Sequence, residues 1–181
     1  MLYDIALSVA ACVRSGTRAD VAWMVSPIAS DQALALTPGG GRIGHLAFGA
    51  FDGLLTDAAA RHLSTGRLVN HVVSELESPI CELPAGTAVQ FLVVPAEQFP
   101  SQTWSLLLDH SPLIVIASMS EDMVTAINVE ASGVDARPLV NVERDSITTV
   151  LVPTPRLIIA GGGPIAEALA AQAALMKWKV A

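Results

Sequence analysis

The segment that most constrains the fold is a run of three glycines between an apolar segment and an alanine-rich segment. Residues 156–160 (RLIIA) form a short apolar run that predicts a strand, and residues 161–163 are all glycine. Residues 167–176 (EALAAQAALM) are typical of a helix, and residues 178–181 (WKVA) indicate the start of another strand. This order predicts a strand–helix–strand unit whose two strands run parallel.

The glycine turn carries the spacing G-x-G-x-x-A at Gly161, Gly163 and Ala166. In dinucleotide-binding folds the first glycine allows the tight turn, the second lets a pyrophosphate approach the backbone, and the small third residue lets the helix pack closely. Pro164 suits the first helical turn, because its missing N–H would have no partner there. The freed amides and the positive end of the helix dipole would face an anion. Gly161, Gly162, Gly163 and Ala166 are therefore candidate cofactor-binding residues.

The sequence leaves open whether this turn binds a ligand, because a glycine turn can also simply join a strand to a helix. In dinucleotide-binding folds, an acidic residue about 20 positions after the first glycine holds a ribose hydroxyl. Counted from Gly161, that position is Ala181. Two strands alone leave an edge unpaired, so we expect completion by further strands, by a further domain of a longer protein, or by a second copy in a homodimer.

The sequence before the glycine turn predicts a separate domain. Pro153, Thr154 and Pro155 form a stiff extended connector. They divide the chain into an N-terminal mixed α/β domain (residues 1–152) and the incomplete start of a Rossmann-like domain (residues 156–181). Within the first domain helical and strand patterns alternate, which favours a layered α/β architecture. Helices are predicted over residues 2–14, 52–63 and 98–110, and strands over 20–27, 33–36, 42–48, 68–73, 87–94, 113–117, 123–129 and 147–152.

Charge and apolar patterning argue against two classes of partner. The formal net charge is −7, which disfavours broad binding to nucleic acid. The apolar runs are far shorter than the roughly 20 residues of a membrane-spanning helix, and residues 1–13 lack the basic region of a secretory signal. We therefore expect a cytoplasmic protein, in which Cys12 and Cys81 are inert buried thiols.

Catalytic and metal-binding residues are not predicted, because the sequence contains no recognisable nucleophile–base pair and no metal-ligand spacing. His45 is the histidine worth keeping as a candidate, since it lies in a glycine-rich loop. Glu75, Glu77 and Glu82 are expected to form a solvated acidic loop.

Two segments of the chain resemble a known family. Residues 155–180 (PRLIIAGGGPIAEALAAQAALMKWKV) are similar to the start of the C-terminal Rossmann domain in the XdhC/CoxI family, the xanthine dehydrogenase accessory proteins. Residues 41–52 (GRIGHLAFGAFD) resemble a G-R-x-x-G-x-x-x-G-G-C-x-E segment in the N-terminal α/β domain of that family. Cys81, which precedes the apolar run at residues 89–94, resembles a cysteine that precedes a similar strand in the family.

This chain departs from the family pattern at several positions. The glycine pair of the family corresponds to Gly49 and Ala50, which the resemblance makes candidate cofactor-binding residues. Phe51 stands in place of the cysteine, and a carboxylate follows as Asp52. Pro164 stands in place of a histidine in the later glycine turn. If the loop handles a cofactor in relatives, its reactive thiol is therefore missing here.

The resemblance implies a role in the maturation of molybdenum hydroxylases. Such an accessory protein would bind the molybdenum cofactor (molybdopterin) and pass it to an apo-enzyme of the xanthine or carbon monoxide dehydrogenase type, without being an enzyme itself. Two alternatives stay open. The glycine turn also fits a fragment of an NAD(P)-binding oxidoreductase, and the missing cysteine fits a divergent assembly partner that binds no small molecule.

Overall fold

The structure, a computed structural model, describes residues 2–27, 32–61, 64–133, 136–176 and 178–181. The chain divides into two compact units, unit 1 (Met1–Leu151) and unit 2 (Val152–Ala181). The division falls between Leu151 and Val152, one residue before the connector that begins at Pro153. None of the helices formed by the described residues combines the length and the apolar character that crossing a bilayer requires.

Unit 1 combines helices with one large antiparallel sheet. Its helices are α1 (Leu2–Arg14), α2 (Asp52–Arg61), α3 (Ser78–Cys81) and α4 (Thr103–Leu108). Its strands are β1 (Asp20–Ser26), β2 (Ala33–Leu36), β3 (Arg42–His45), β4 (Arg67–Val72), β5 (Ala88–Pro95), β6 (Leu113–Ser120), β7 (Met123–Ala131), β8 (Leu139–Val142) and β9 (Ser146–Leu151). The described strands pair in the order β3-β2-β1-β5-β4-β7-β6-β9-β8, and all neighbours are antiparallel. The predicted mixed α/β class is confirmed.

The central strands β1 and β5 are covered on both faces. In β1, Val21 and Trp23 lie in a core with α1 and β6, whereas Ala22 and Met24 lie in a second core with α2. Because side chains alternate across a strand, each face of this sheet needs its own apolar partner. The near-continuous apolar run at residues 87–94 predicts a strand buried on both sides, and the burial of β5 from Phe91 to Pro95 confirms it.

The sheet consists of two halves that meet at a narrow junction. Strands β4 and β7 are paired only at Arg67 and Met123, with a short backbone bond from Leu68 N to the carbonyl of Asp122. The half that contains β9 packs against β1, where the indole Nε1 of Trp23 donates to the hydroxyl of Thr149 at 3.2 Å. One apolar core therefore lies between the two halves.

Two predicted elements are shorter in the structure. The strand predicted to reach Phe48 ends at His45, because Ala47 and Phe48 adopt left-handed φ values of +47° and +53°. The helix predicted over residues 98–110 is confined to α4. It does not begin at residue 98, because Phe99 is extended and the following Pro100 has no N–H to donate within a helix. The predicted helix over residues 52–63 is observed as α2, and residues 62–63 lie outside the described residues.

Candidate functional site

Unit 2 contains a strand–helix–strand unit made of β10 (Arg156–Leu157), α5 (Pro164–Leu175) and β11 (Lys179–Val180). The two strands run parallel, with Arg156 opposite Lys179. Pairing extends beyond the strand ends, since the amide of Ile159 donates to the carbonyl of Ala181 at 2.9 Å. The parallel arrangement expected from the glycine-rich sequence is therefore present, with shorter strands than the sequence indicates.

The glycine turn lies at the exposed amino-terminal end of α5. Gly161 and Gly163 have φ values of +124° and +95°, which L side chains rarely adopt. A Cβ added at Gly161, Gly162 or Gly163 would meet no atom within 4 Å, so the space in front of the backbone is open. Gly163 is the residue before the helix, and no side chain caps its amide groups. The N–H groups at this helix start are accordingly available to an acceptor from outside the unit.

The structure brings Gly161, Gly162, Gly163 and Ala166 together in one turn. Ala166 is half-buried in the first turn of α5, which begins at Pro164. The helix packs through its far end, where Ala173 is fully buried.

One charge in unit 2 opposes an anion at this turn. Glu167 lies in the first turn of α5, where its carboxylate partly offsets the positive end of the helix dipole. This carboxylate therefore weakens the attraction of the turn for an anion.

Gly49 and Ala50 lie in unit 1, in a loop with unusual backbone geometry. Ala47, Phe48 and Gly49 are consecutive residues with positive φ. The side-chain Oε1 of Gln32 accepts the amide of Ala47 at 2.7 Å. The side chain of Phe48 is 64% exposed at the tip of the loop. Bulky residues with left-handed backbone often mark functional loops, because the strain persists only where the surroundings impose it.

Phe51 and Asp52, which follow this loop, supply no thiol. Phe51 is fully buried, and its ring lies 5.0 Å from that of Phe91, centroid to centroid. Oδ2 of Asp52 accepts a 2.6 Å hydrogen bond from Nη1 of Arg42, so its charge is paired. The loop around Gly49 therefore has an unusual backbone conformation but no nucleophilic side chain.

Sequence reasoning missed a largely apolar pocket in unit 1 that has an ion pair on one side. Asp20, the first residue of β1, is buried and forms an ion pair with Arg18 at the edge of a cavity of about 250 Å³. The available signal was an Arg-x-Asp spacing in which the aspartate begins a strand of apolar residues. A carboxylate in such a strand needs a partner, and the arginine two positions earlier is that partner.

No protein-family model and no curated protein matches this sequence. Among solved structures, one described as a xanthine dehydrogenase from Bacillus halodurans is similar to it, with a TM-score of 0.62 and 16% sequence identity. The similarity covers 97% of this chain and 60% of that chain, so this protein spans about three fifths of the length of the other. At this identity the comparison shows a shared fold.

Proposed function

We propose that this protein is an accessory protein, not an enzyme, that binds the molybdenum cofactor and assists its insertion into a molybdenum hydroxylase of the xanthine or carbon monoxide dehydrogenase type. The observation that carries the proposal is the exposed, uncapped glycine turn between β10 and α5, in a unit whose two strands run parallel. The resemblance of residues 155–180 to the XdhC/CoxI family supports it. The shared fold with a chain described as a xanthine dehydrogenase is compatible with it.

The cofactor is the cargo of this protein, and its anionic phosphate end is the part that the glycine turn would bind. Backbone amides at a helix start donate to phosphate oxygens, and the open space at Gly162 and Gly163 lets the phosphate approach the backbone. The nearby carboxylate of Glu167 limits the strength of this interaction. Moderate affinity suits a carrier, because the cargo must later be released to the apo-enzyme.

The proposed role requires binding and release without covalent chemistry. The buried Phe51 occupies the position of a cysteine in the family segment that residues 41–52 resemble. This chain would then retain the cofactor through noncovalent contacts alone. The first residues to test are Gly161, Gly162, Gly163 and Ala166, and the second group is Gly49 and Ala50.

Reconstitution of an apo-hydroxylase tests this function. Cofactor released from a molybdoenzyme under anaerobic conditions is mixed with apo-enzyme, with or without this protein, and recovery of hydroxylase activity is followed. We expect faster recovery with the wild type, loss of the effect in Gly163→Val, and its retention in Gly53→Ala, which changes a glycine of α2 that also has open space around it. A wild-type protein that neither retains the pterin on gel filtration nor speeds recovery would refute the proposal. A rise in melting temperature with NAD(P) instead would favour the oxidoreductase alternative.

A specific observation favours a second candidate, an assembly partner that binds no small molecule. Unit 2 exposes several large apolar side chains, namely Ile158, Ile165, Leu169, Leu175 and Met176. Such a surface is typical of a protein interface, with a target enzyme, a further domain or a second copy of this chain. This candidate predicts that the apo-enzyme binds the protein equally well without cofactor, and that Gly163→Val leaves this binding unchanged.

A further inference from the structure

A small cavity in unit 1 is lined by residues other than Gly49, Ala50 and those of the glycine turn before α5. Its volume is about 250 Å³, enough for about eight water-sized groups. The described residues around it come from the start of β1, from the end of β2 with the turn that follows, and from α2. Leu36, Pro38 and Ala60 supply apolar surface, so the cavity has the size and lining of a site for a small organic molecule.

An ion pair between a partly exposed arginine and a buried aspartate forms the polar side of the cavity. Arg18 donates from Nε to Oδ2 of Asp20 at 2.9 Å and from Nη2 to Oδ1 at 3.0 Å. Nη2 of Arg18 also lies 3.3 Å from the carbonyl of Ala59. The side chain of Asp20 is only 4% exposed. Each carboxylate oxygen of Asp20 therefore accepts one hydrogen bond from the guanidinium of Arg18 and still has a lone pair for a second donor.

The two threonines that line the cavity also present acceptors. The hydroxyl of Thr37 donates to the carbonyl of Gly41 at 3.3 Å, and the hydroxyl of Thr56 donates to the carbonyl of Asp52 at 2.7 Å. A hydroxyl has one hydrogen, so each oxygen has only lone pairs left to offer. The carboxylate of Asp20 and both hydroxyls thus favour a ligand that brings its own N–H donors.

From this arrangement we propose that the cavity binds a small, neutral nitrogen heterocycle that carries N–H donors, of the size of a pyrimidine base. Its N–H groups donate to Asp20 and to Thr56, and its ring lies against the apolar lining. A neutral ligand fits because Arg18 and Asp20 already balance each other, and an added charge would be desolvated without a partner. The pKa of Asp20 is raised, because burial outweighs the opposing effect of Arg18, so a further donor would stabilise the ionised carboxylate. The inference does not depend on the proposed function.

Calorimetric titration of the full chain with cytosine tests the site, with 1,N4,N4-trimethylcytosine as the matched ligand that lacks N–H donors. Ala60→Leu fills the cavity from an exposed helical position, and Thr56→Val removes one acceptor at constant shape. Ala11→Leu is the control, because Ala11 is also an exposed helical alanine of unit 1 and does not line the cavity. Melting temperatures establish that every variant is folded.

We expect saturable one-to-one binding of cytosine to the wild type and to Ala11→Leu. Thr56→Val should weaken binding about fivefold, as the loss of one hydrogen bond does. Ala60→Leu should abolish it, and the trimethylated base should not bind. The proposal is overturned if cytosine does not bind the wild type, if the trimethylated base binds equally well, or if folded Ala60→Leu keeps wild-type affinity.

Discussion

The imidazole Nε2 of His71 in β4 lies 3.0 Å from Oε1 and 2.9 Å from Oε2 of Glu77, so a strand side chain holds the loop that leads into α3. Glu77 also accepts from the amide and the hydroxyl of Ser74, each at 2.8 Å. These contacts, with that of His71 the largest, lower the pKa of Glu77 from its ordinary 4.5 to about 2. The expected solvated acidic loop is therefore wrong for Glu77, which anchors the loop instead.

Replacing this carboxylate should change how stability depends on pH. Because the pKa of Glu77 is lower in the folded state, its contribution is fully present above about pH 4.5 and is lost as pH falls toward about 2. We expect Glu77→Gln to reduce the free energy of unfolding at pH 7, and the difference from wild type to shrink between pH 4.5 and 2. Urea titrations at several pH values measure it. A difference that is constant over this range would contradict the assignment.

Two phenylalanines three positions apart should respond oppositely to truncation. Phe51 is fully buried against Phe91 and His71, so Phe51→Ala should cost about 3–5 kcal/mol of unfolding free energy. Phe48 is exposed at the loop tip, so Phe48→Ala should change stability by less than about 0.5 kcal/mol. Urea denaturation of both variants checks this pair, and similar losses would show that the loop is packed differently.

Gly44 lies where a side chain would clash with its neighbours and where the backbone has a positive φ. Its φ is +86°, and an added Cβ would lie 2.5 Å from the carbonyl oxygen of Ala33 and 2.6 Å from Cγ2 of Ile5. Gly44→Ala should therefore destabilise unit 1 by at least about 2 kcal/mol. Gly53 in α2 has open space, so Gly53→Ala should stabilise by about 0.5–1 kcal/mol. Thermal unfolding measures both variants. Melting temperatures that change in the same direction in the two variants would contradict this geometry.

Removing the carboxylate at the start of α5 should strengthen anion binding. Glu167 repels a phosphate at the glycine turn, so we expect Glu167→Gln to bind pyrophosphate about two- to fivefold more tightly, with the gain shrinking at high salt. Calorimetry at low and moderate ionic strength measures it. Glu97→Gln, in unit 1, serves as the charge-matched control and should leave the affinity unchanged. Equal effects of both substitutions would indicate only a change in net charge.

The local patterns that sequence predicts well are those whose cause lies within a few residues. The helix over residues 2–14 and the glycine turn at Gly161 follow from apolar spacing and from the need for positive φ, and both are observed. The end of β3 depends on left-handed geometry at Ala47 and Phe48, residue types that give no local signal for it.

Contacts between distant residues explain what sequence reasoning missed. The pairing of Trp23 with Thr149 joins residues 126 positions apart and brings the two halves of the sheet together. The cavity beside Asp20 requires β2 and α2 to converge on β1. Neither arrangement follows from propensity or periodicity, because both depend on strand order.

The most direct test of the central claim is an amide ¹H–¹⁵N spectrum of the full chain, titrated anaerobically with freshly released molybdenum cofactor. Resonances of the turn, from Gly161 through Gly163, and of the first residues of α5 should shift saturably, because their exposed amides donate to the phosphate. A titration that leaves these resonances unmoved, whether the cofactor binds elsewhere or not at all, would contradict the account.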